Sequence, residues 1–367
     1  MPSKSLKKQI NRGMKTDFDS VVFYTTMTLV FFGIIMVFSA SYIQSSFKHN
    51  DPYFFLKRDL IYATLGFIGM IILSKVDYKL WKKYATPICI IAIVFLLLVL
   101  TPLGIEANGA KRWLGVGGAT FQPSDIAKFA CVVFTAKLIE KRYDKIKSLT
   151  KGVLPILIMP MIIFILIMLE PNMSTAGTVV LVIFVMLFVA GMNMKFVGAM
   201  GLGGMGLFAL LVLMEPYRLK RITSFLDPFQ DPLGSGYQVI QSLYALGSGG
   251  LFGLGLGKSK QKYFYIPEPQ NDFIFAIVAE ELGFVGCVTI ILLFAIFVWR
   301  GIVISMKAPD MFGSLLAIGV TTLVATQAII NIAVVTASIP TTGMALPFFS
   351  YRRNRTVGTT GWSGNFA

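Results

Sequence analysis

The sequence predicts an all-α, polytopic membrane helical bundle of about nine to ten transmembrane helices, with one long extracytoplasmic loop. Three observations carry that prediction. The 367 residues are 55% hydrophobic and only 14% charged, with a mean hydropathy of +0.73. A soluble domain of this size cannot bury so much apolar surface. Several apolar runs are long enough to cross about 30 Å of hydrocarbon as helices, and the period-2 alternation of a membrane β-barrel is missing.

The first apolar run begins near Val21, behind a lysine-rich arm, and has no small-residue cleavage site. It reads as a retained first span rather than a removed signal. Further spans are expected at 59–75, 85–104, 122–140, 152–169, 173–191, 196–214, 272–299 and 312–336, after the first at 21–43. They must be helices, because each backbone amide has to find its partner inside its own segment. Asp59, Asp125, Lys128 and Asp272 lie within or at the edges of these spans. Cys89, Cys131 and Cys287 fall inside apolar runs and form no spacing pattern, so neither a disulfide framework nor a metal site follows. The single histidine, His49, argues against imidazole catalysis. A net charge of +15 fits basic loops that orient the chain and meet anionic lipid. No recognisable module supports nucleic-acid binding. There is no internal repeat, no inverted pair of broken spans and no separate soluble domain, which disfavours a transporter of repeat architecture.

Orientation follows from the lysines and arginines. With the amino terminus in the cytoplasm, the inner segments carry eighteen basic residues and the outer ones eleven, six of them in the single loop Glu215 to Asn271. Without that loop the ratio is eighteen to five, a positive-inside signal.

The exceptional loop is either simply solvated or a binding surface. Its cations are grouped. Arg218, Lys220 and Arg221 open it, and Lys258, Lys260 and Lys262 precede Asp272. Between them, Leu226–Tyr237 reads as turns. Tyr237 to Leu246 reads as a short amphipathic helix with Val239, Leu243 and Leu246 on its apolar side. The glycines from Gly247 to Gly257 would let backbone approach a ligand closely. They follow no strand and lack a Walker lysine, so they do not suggest a nucleotide loop. A basic bay with one acid at its mouth suits a reaction on an anionic, lipid-linked substrate.

Three further groups could carry chemistry. Lys111, Arg112 and Trp113 lie on the same outer side as the long loop. A guanidinium grips phosphate oxygens through a planar fork, while Trp113 suits either an interfacial anchor or a substrate contact. Downstream, Phe121-Gln122-Pro123-Ser124-Asp125-Ile126-Ala127-Lys128 reads as a helix start with Pro123 in the first turn. Asp125 and Lys128 share a helix face, as a structural salt bridge or as the wall of a polar cavity. Asp272 is either a helix cap or a general base. Glu280 and Glu281, two turns deeper, suggest an internal polar contact.

Gly109–Trp113, Phe121–Lys128, Arg221–Gln241 and Pro267–Gly283 resemble the SEDS family of shape, elongation, division and sporulation proteins. Asp231–Gln238 and Pro267–Ala276 look closer to the FtsW and SpoVE branch than to RodA. The resemblance covers roughly residues 15 to 351. It implies a peptidoglycan glycosyltransferase that polymerises lipid II, an undecaprenyl-pyrophosphate substrate, at the outer face of the bacterial cytoplasmic membrane. It also implies a class B penicillin-binding protein, a transpeptidase, as partner. By resemblance Asp272 is the essential loop aspartate. Arg112 and Trp113 form the basic-Trp motif, and Asp125 and Lys128 the intramembrane acid–lysine pair. Gln122, Arg218, Lys258 and Lys260 join Lys111, Arg112, Trp113, Asp125 and Lys128 as expected substrate-binding residues. A divalent cation, Mg or Mn, is the one cofactor weighed, to offset charge on the departing phosphate beside the basic residues. The alternatives are a lipid II flippase or transporter and a non-catalytic division scaffold.

The chain departs from the family pattern in places. Glu170-Pro171-Asn172 stands where Gln-Pro-Asp is typical, and Asp125 where Glu is usual. After Tyr351, Arg352-Arg353-Asn354-Arg355 replaces Gly-Gly-Ser-Ser. A one-base shift turns two GGN codons into NGG, which can read Arg-Arg. Residues 1–351 are therefore expected to form the membrane domain, and 352–367 an atypical, frameshifted or altered tail.

Overall fold

A computed structural model describes residues 19–107, 109–116, 119–267 and 269–349. The tail 352–367 lies outside the described residues. Each of the nine expected spans falls on a helical segment. These are α1 Ser20–His49, α2 Phe54–Ser74, α3 Lys79–Leu100, α4 Pro123–Lys141, α5 Leu154–Leu169, α6 Met173–Val189, α7 Met194–Leu213, α10 Ile274–Lys307 and α11 Met311–Val335. Among the described residues six helices are long and apolar enough to cross a membrane, namely α1, α3, α5 with its leading π-turn, α7, α10 and α11. This is a multi-pass membrane protein.

Local chemistry explains the helix starts. Asp19 caps α1 by accepting from Val22 N at 3.1 Å, and Asp310 caps α11 by accepting from Gly313 N at 2.7 Å. Asn172 caps α6 through Thr175 N at 3.4 Å. Pro123 occupies the first turn of α4, where its missing N–H costs nothing.

Two apolar cores share α11. One gathers α3, α4, α5 and α6 around residues such as Leu96, Val133, Ile163 and Met186, with Phe312 and Leu315 of α11. The other joins α1, α10 and the later part of α11 through Leu29, Met36, Phe275 and Val335, and takes in Leu346 and Phe349 of the returning segment 336–349. By contrast α7 buries only Val212 and stands at the edge of the bundle.

The structure corrects four local expectations. The 104–121 connection, read as an outer loop, is an antiparallel sheet in the order β1 Gly104–Ala107, β2 Ala110–Val116, β3 Ala119–Phe121. The long loop opens with a helix, α8 Pro216–Leu226, so Arg218, Lys220 and Arg221 are helical. The amphipathic helix, α9 Tyr237–Gly249, runs longer than expected, and its buried face is Val239, Ile240, Ser242, Ala245 and Gly249.

The fourth correction concerns the expected span 272–299. It is two helices in line, broken at Gly283, whose φ of 65° lies in the region that only glycine enters freely. The break frees backbone groups that lipid could not satisfy. The glycine-rich segment supplies the partners. Leu254 N and Gly255 N donate to Glu280 O and Glu281 O at 2.9 and 3.0 Å, while Phe284 N and Val285 N donate to Gly250 O and Leu251 O at 2.9 and 3.1 Å. The glycines thus allow approach to the protein's own backbone rather than to a ligand. A Cβ at Gly253 would stand 2.2 Å from Glu281 O.

Candidate active site

The alternation of the helices brings the sheet, Glu170, the start of α6, the end of α7, the long loop and the segment 336–349 to one end of the bundle, the loop face. Asp272 lies there, half-buried, just before α10. The N-cap position of α10 is Phe273, one residue later. Two neighbours locate the residue, one at its main-chain carbonyl and one beside its carboxylate. Asn331 on α11 donates its Nδ2 to Asp272 O and to Met344 O, both at 2.7 Å. A Cβ at Gly343 would stand 3.7 Å from Asp272 Oδ2, so the returning segment passes directly beside the acid.

The same two walls continue into a cavity of about 250 Å³. It is lined by Asp125 and Lys128 of α4, Leu323 and Gln327 of α11, and Ala345, Leu346 and Pro347 of the returning segment. Leu323, Gln327 and Asn331 recur every four residues and stack along one helix face, so the cavity wall leads to Asp272. Lys128 is 3% exposed and pairs with the 31% exposed Asp125 at 2.9 Å. The pair is at once a salt bridge and part of the cavity wall.

Two arginines reach this end of the site, each held by carbonyl oxygens. Arg112 donates Nε to Glu170 O at 3.1 Å and Nη2 to Pro171 O. Arg221 donates Nη1 to Thr341 O at 3.1 Å, two residues from Gly343. Ser174 Oγ donates to Thr342 O at 3.0 Å, which ties the start of α6 to the same segment. A guanidinium anchored on neutral carbonyls keeps its positive charge for an anion. Burial lowers the Arg112 pKa from its ordinary value, with Arg221 also disfavouring the charge and Tyr217 and Glu170 opposing the shift. Glu170 itself is 1% exposed, and neither carboxyl oxygen has a hydrogen-bond partner. Burial pushes its pKa up to about 8 against the opposing pull of Arg112, so at neutral pH it is mostly uncharged and leaves Arg112 unneutralised.

The other expected residues are placed differently. Lys111 is exposed, and it and Trp113 alternate with Arg112 along β2, facing the other side of the sheet. Gln122 donates its Nε2 to Ser124 Oγ at 2.8 Å. Arg218 turns back into the protein, donating to Leu211 O at 2.6 Å and Tyr217 OH at 3.0 Å. Lys258 and Lys260 are exposed on a segment wound around Glu280 and Glu281. Glu280 accepts from Lys260 N at 2.8 Å and Gln261 N at 3.3 Å. Glu281 accepts from Ser259 N, Lys262 Nζ and Ser39 Oγ of α1. That segment is therefore held by α1 and the α10 break, whereas Arg112 and Arg221 are held beside the segment that passes Asp272.

Sequence reasoning missed Arg221, Asn331, Gly343 and Glu170 as parts of this site. Arg221 carried a signal, since it opens one of the motif segments. Asn331, a polar residue in an apolar span, carried another. Gly343 carried none.

A family model described as cell cycle protein, covering FtsW, RodA and SpoVE, matches residues 19–353. The chain is 47% identical to stage V sporulation protein E of Bacillus subtilis over 338 residues, 92% of each chain. It is 44% identical to a probable peptidoglycan glycosyltransferase FtsW of Trichlorobacter lovleyi, over 91% of this chain and 88% of the relative. Among solved structures it resembles a chain from a study of a peptidoglycan synthase complex that coordinates polymerization and crosslinking. There the TM-score is 0.74 and the identity 29%, over 92% of both chains. It also resembles the rod shape determining protein RodA of Thermus thermophilus, with a TM-score of 0.67 and 26% identity over 92% of this chain and 91% of that one. With the acid, its arginines and the cavity built on that shared frame, this chain belongs to the FtsW, RodA and SpoVE family of cell cycle proteins.

Proposed function

We propose that this chain is a peptidoglycan glycosyltransferase that polymerises lipid II, with its loop face on the outer side of the bacterial cytoplasmic membrane and its amino terminus in the cytoplasm. The activity is that named for relatives such as the Trichlorobacter FtsW. The observation that carries the reading is the position of Asp272. A half-buried carboxylate stands beside the returning segment, which also holds Arg221 at Thr341 and walls the Asp125–Lys128 cavity.

In this reading Asp272 accepts the proton of the acceptor sugar's 4-hydroxyl. The oxygen attacks the donor's anomeric carbon, the bond to undecaprenyl pyrophosphate breaks, and the configuration inverts. One carboxylate suffices, because pyrophosphate leaves without protonation, unlike the leaving group of a glycoside hydrolase. Arg112 and Arg221 face the charge that develops on the departing phosphates. Among the described residues no cluster of three or more His, Cys, Asp or Glu could cage a metal ion. Divalent ions at phosphate sites often use one or two carboxylates plus phosphate oxygens, which Asp272 could satisfy. Such an ion, when bound, would add to the charge stabilisation of the pyrophosphate. A class B transpeptidase is the proposed partner, in keeping with the synthase complex among the structural neighbours.

The test is polymerisation of purified lipid II by the purified chain, with and without a class B transpeptidase. Asp272→Ala should abolish glycan product while the protein stays folded and membrane-inserted. Full product from that variant would remove Asp272 as the base. Lipid II translocation without polymer from the unaltered chain would replace the enzyme reading with that of a flippase.

A further inference from the structure

The long loop carries a group of large apolar side chains that its own fold leaves uncovered. Phe252 is 79% exposed, and Tyr263, Phe264 and Tyr265 lie between 48% and 58%. Two contacts show where this group stands relative to the bilayer. Phe264 packs edge-on against Phe47 at a centroid distance of 5.6 Å, and Phe47 belongs to the last turn of α1. The backbone beside Phe252 is bonded to the first residues after the α10 break, where Phe284 and Val285 are themselves 62% and 49% exposed.

Helix lengths set the depth. The 30 residues of α1 span about 45 Å, against about 30 Å of hydrocarbon. Phe47, Lys48 and His49 lie beyond the apolar run 21–43, which puts this final turn at headgroup level. Phe264 adopts a φ of 67°, a conformation that a bulky side chain rarely accepts, and it does so with the ring turned outward. Lys258 and Lys260 are exposed on the same segment, and Lys48 beside Phe47. Aromatic rings with lysines at the end of a spanning helix match the chemistry of the membrane–water interface.

We infer that residues 251–265 form an interfacial anchor that embeds in the anionic headgroup layer on the loop face. Aromatic side chains enter the acyl boundary, and Lys258 and Lys260 meet lipid phosphates. The anchor has a positional consequence. Tyr265 lies seven residues before Asp272 in sequence, and between them Gln270 donates its Nε2 to Gln44 Oε1 of α1 at 3.1 Å. Fixing the aromatic residues in the interface therefore sets the height of the carboxylate above the hydrocarbon. Lys258 and Lys260 gain a role on bulk lipid rather than on the reacting substrate.

The inference is tested without any catalytic readout, so its failure is separable from that of the proposed activity. A nitroxide is attached at Phe264→Cys, at Tyr263→Cys in case the strained position does not tolerate replacement, and at Gln230→Cys, an exposed site elsewhere in the loop. The background carries Cys89→Ala, Cys131→Ala and Cys287→Ala. The protein is placed in phosphatidylglycerol or phosphatidylcholine nanodiscs, and accessibility to oxygen is compared with that to a water-soluble nickel complex. The expected result is an oxygen-to-nickel ratio several-fold higher at positions 263 or 264 than at 230. It should rise further in phosphatidylglycerol, and that increment should vanish with Lys258→Gln and Lys260→Gln together. Equal ratios at the three sites would overturn the anchor. So would shielding of positions 263 and 264 that appears only when a class B transpeptidase is added, which would reassign the surface to a protein partner.

Discussion

Two sets of charges in the bundle are held in opposite ways. On the face away from the loop, Asp19, Glu140 and Asp310 are closed against partners or a helix end, as Glu281 is against Lys262 on the loop face. Arg300 meets Asp19 at 2.7 Å, Lys82 meets Glu140 at 2.6 Å, and Asp310 accepts from Tyr78 OH at 2.9 Å while capping α11. On the loop face, Arg112 and Arg221 are fixed by peptide carbonyls, and Glu170, whose backbone holds Arg112, is kept mostly neutral by burial. The first arrangement consumes its charge in making structure. The second positions cations and leaves their field available, as a site for a pyrophosphate requires. Basic residues and ion pairs occur at both ends, Lys57–Asp51 and Lys220–Asp231 among them on the loop face, so neither distinguishes the two arginines. What holds each cation does.

The largest expected effect comes from removing the acid that this field serves. Asp272→Asn keeps the shape and should lower polymerisation by about 10²–10⁴-fold, the usual span for a lost general base, with the melting temperature unchanged. Next comes Arg112→Ala. Loss of one charged hydrogen-bonding group should cost about 1.5–3 kcal/mol, seen as a fall in lipid II turnover. Arg112→Lys should recover little, because a lysine cannot reach both carbonyls and keep a fork for phosphate.

Glu170→Gln sharpens the comparison through pH. Burial raises the pKa of Glu170 in the fold to about 8, well above the ordinary glutamate value, so the folded state binds its proton more tightly than the unfolded chain does. That stabilisation is complete below the unfolded pKa and is lost as pH rises through the folded one. Thermal denaturation from about pH 6 to about pH 9 should show the unaltered protein weakening more steeply than the Gln variant, by a few kcal/mol at most. Equal slopes would mean that Glu170 is charged and paired with Arg112 at neutral pH, and the contrast between the faces would fail. The smallest effect belongs to Lys82→Ala on the opposite face. It should leave turnover unaltered and cost no more than about 1 kcal/mol, because the pair is partly solvated.

Much of the fold was legible in the sequence because hydropathy is a local property. Each run that must hide its backbone from lipid declares itself within about 20 residues, and the observed helices fall where those runs lie. The break at Gly283 was not legible, since an apolar run looks the same whether it is one helix or two. Its repair by residues 250–255 depends on a contact made across the long loop. The site was half legible. Asp272, Arg112 and the Asp125–Lys128 pair stood out as charges at unusual places. The partners that define their setting did not. Arg221 meets the returning chain at Thr341, 120 positions later, and Asn331 holds Asp272 across 59.

The sequence alone determined that this protein is a helical membrane bundle, which residues lie at its loop end, and which acid is available there. Composition and periodicity act over a few turns of helix and need no knowledge of neighbours. Only the tertiary structure decided which cation is held by the segment that passes that acid, because α8, α11 and the segment 336–349 meet solely through packing. Lys258 and Arg221 look alike as basic residues of one loop. One folds over the α10 break and the other beside the segment that passes Asp272, and that separation is a property of the assembled chain.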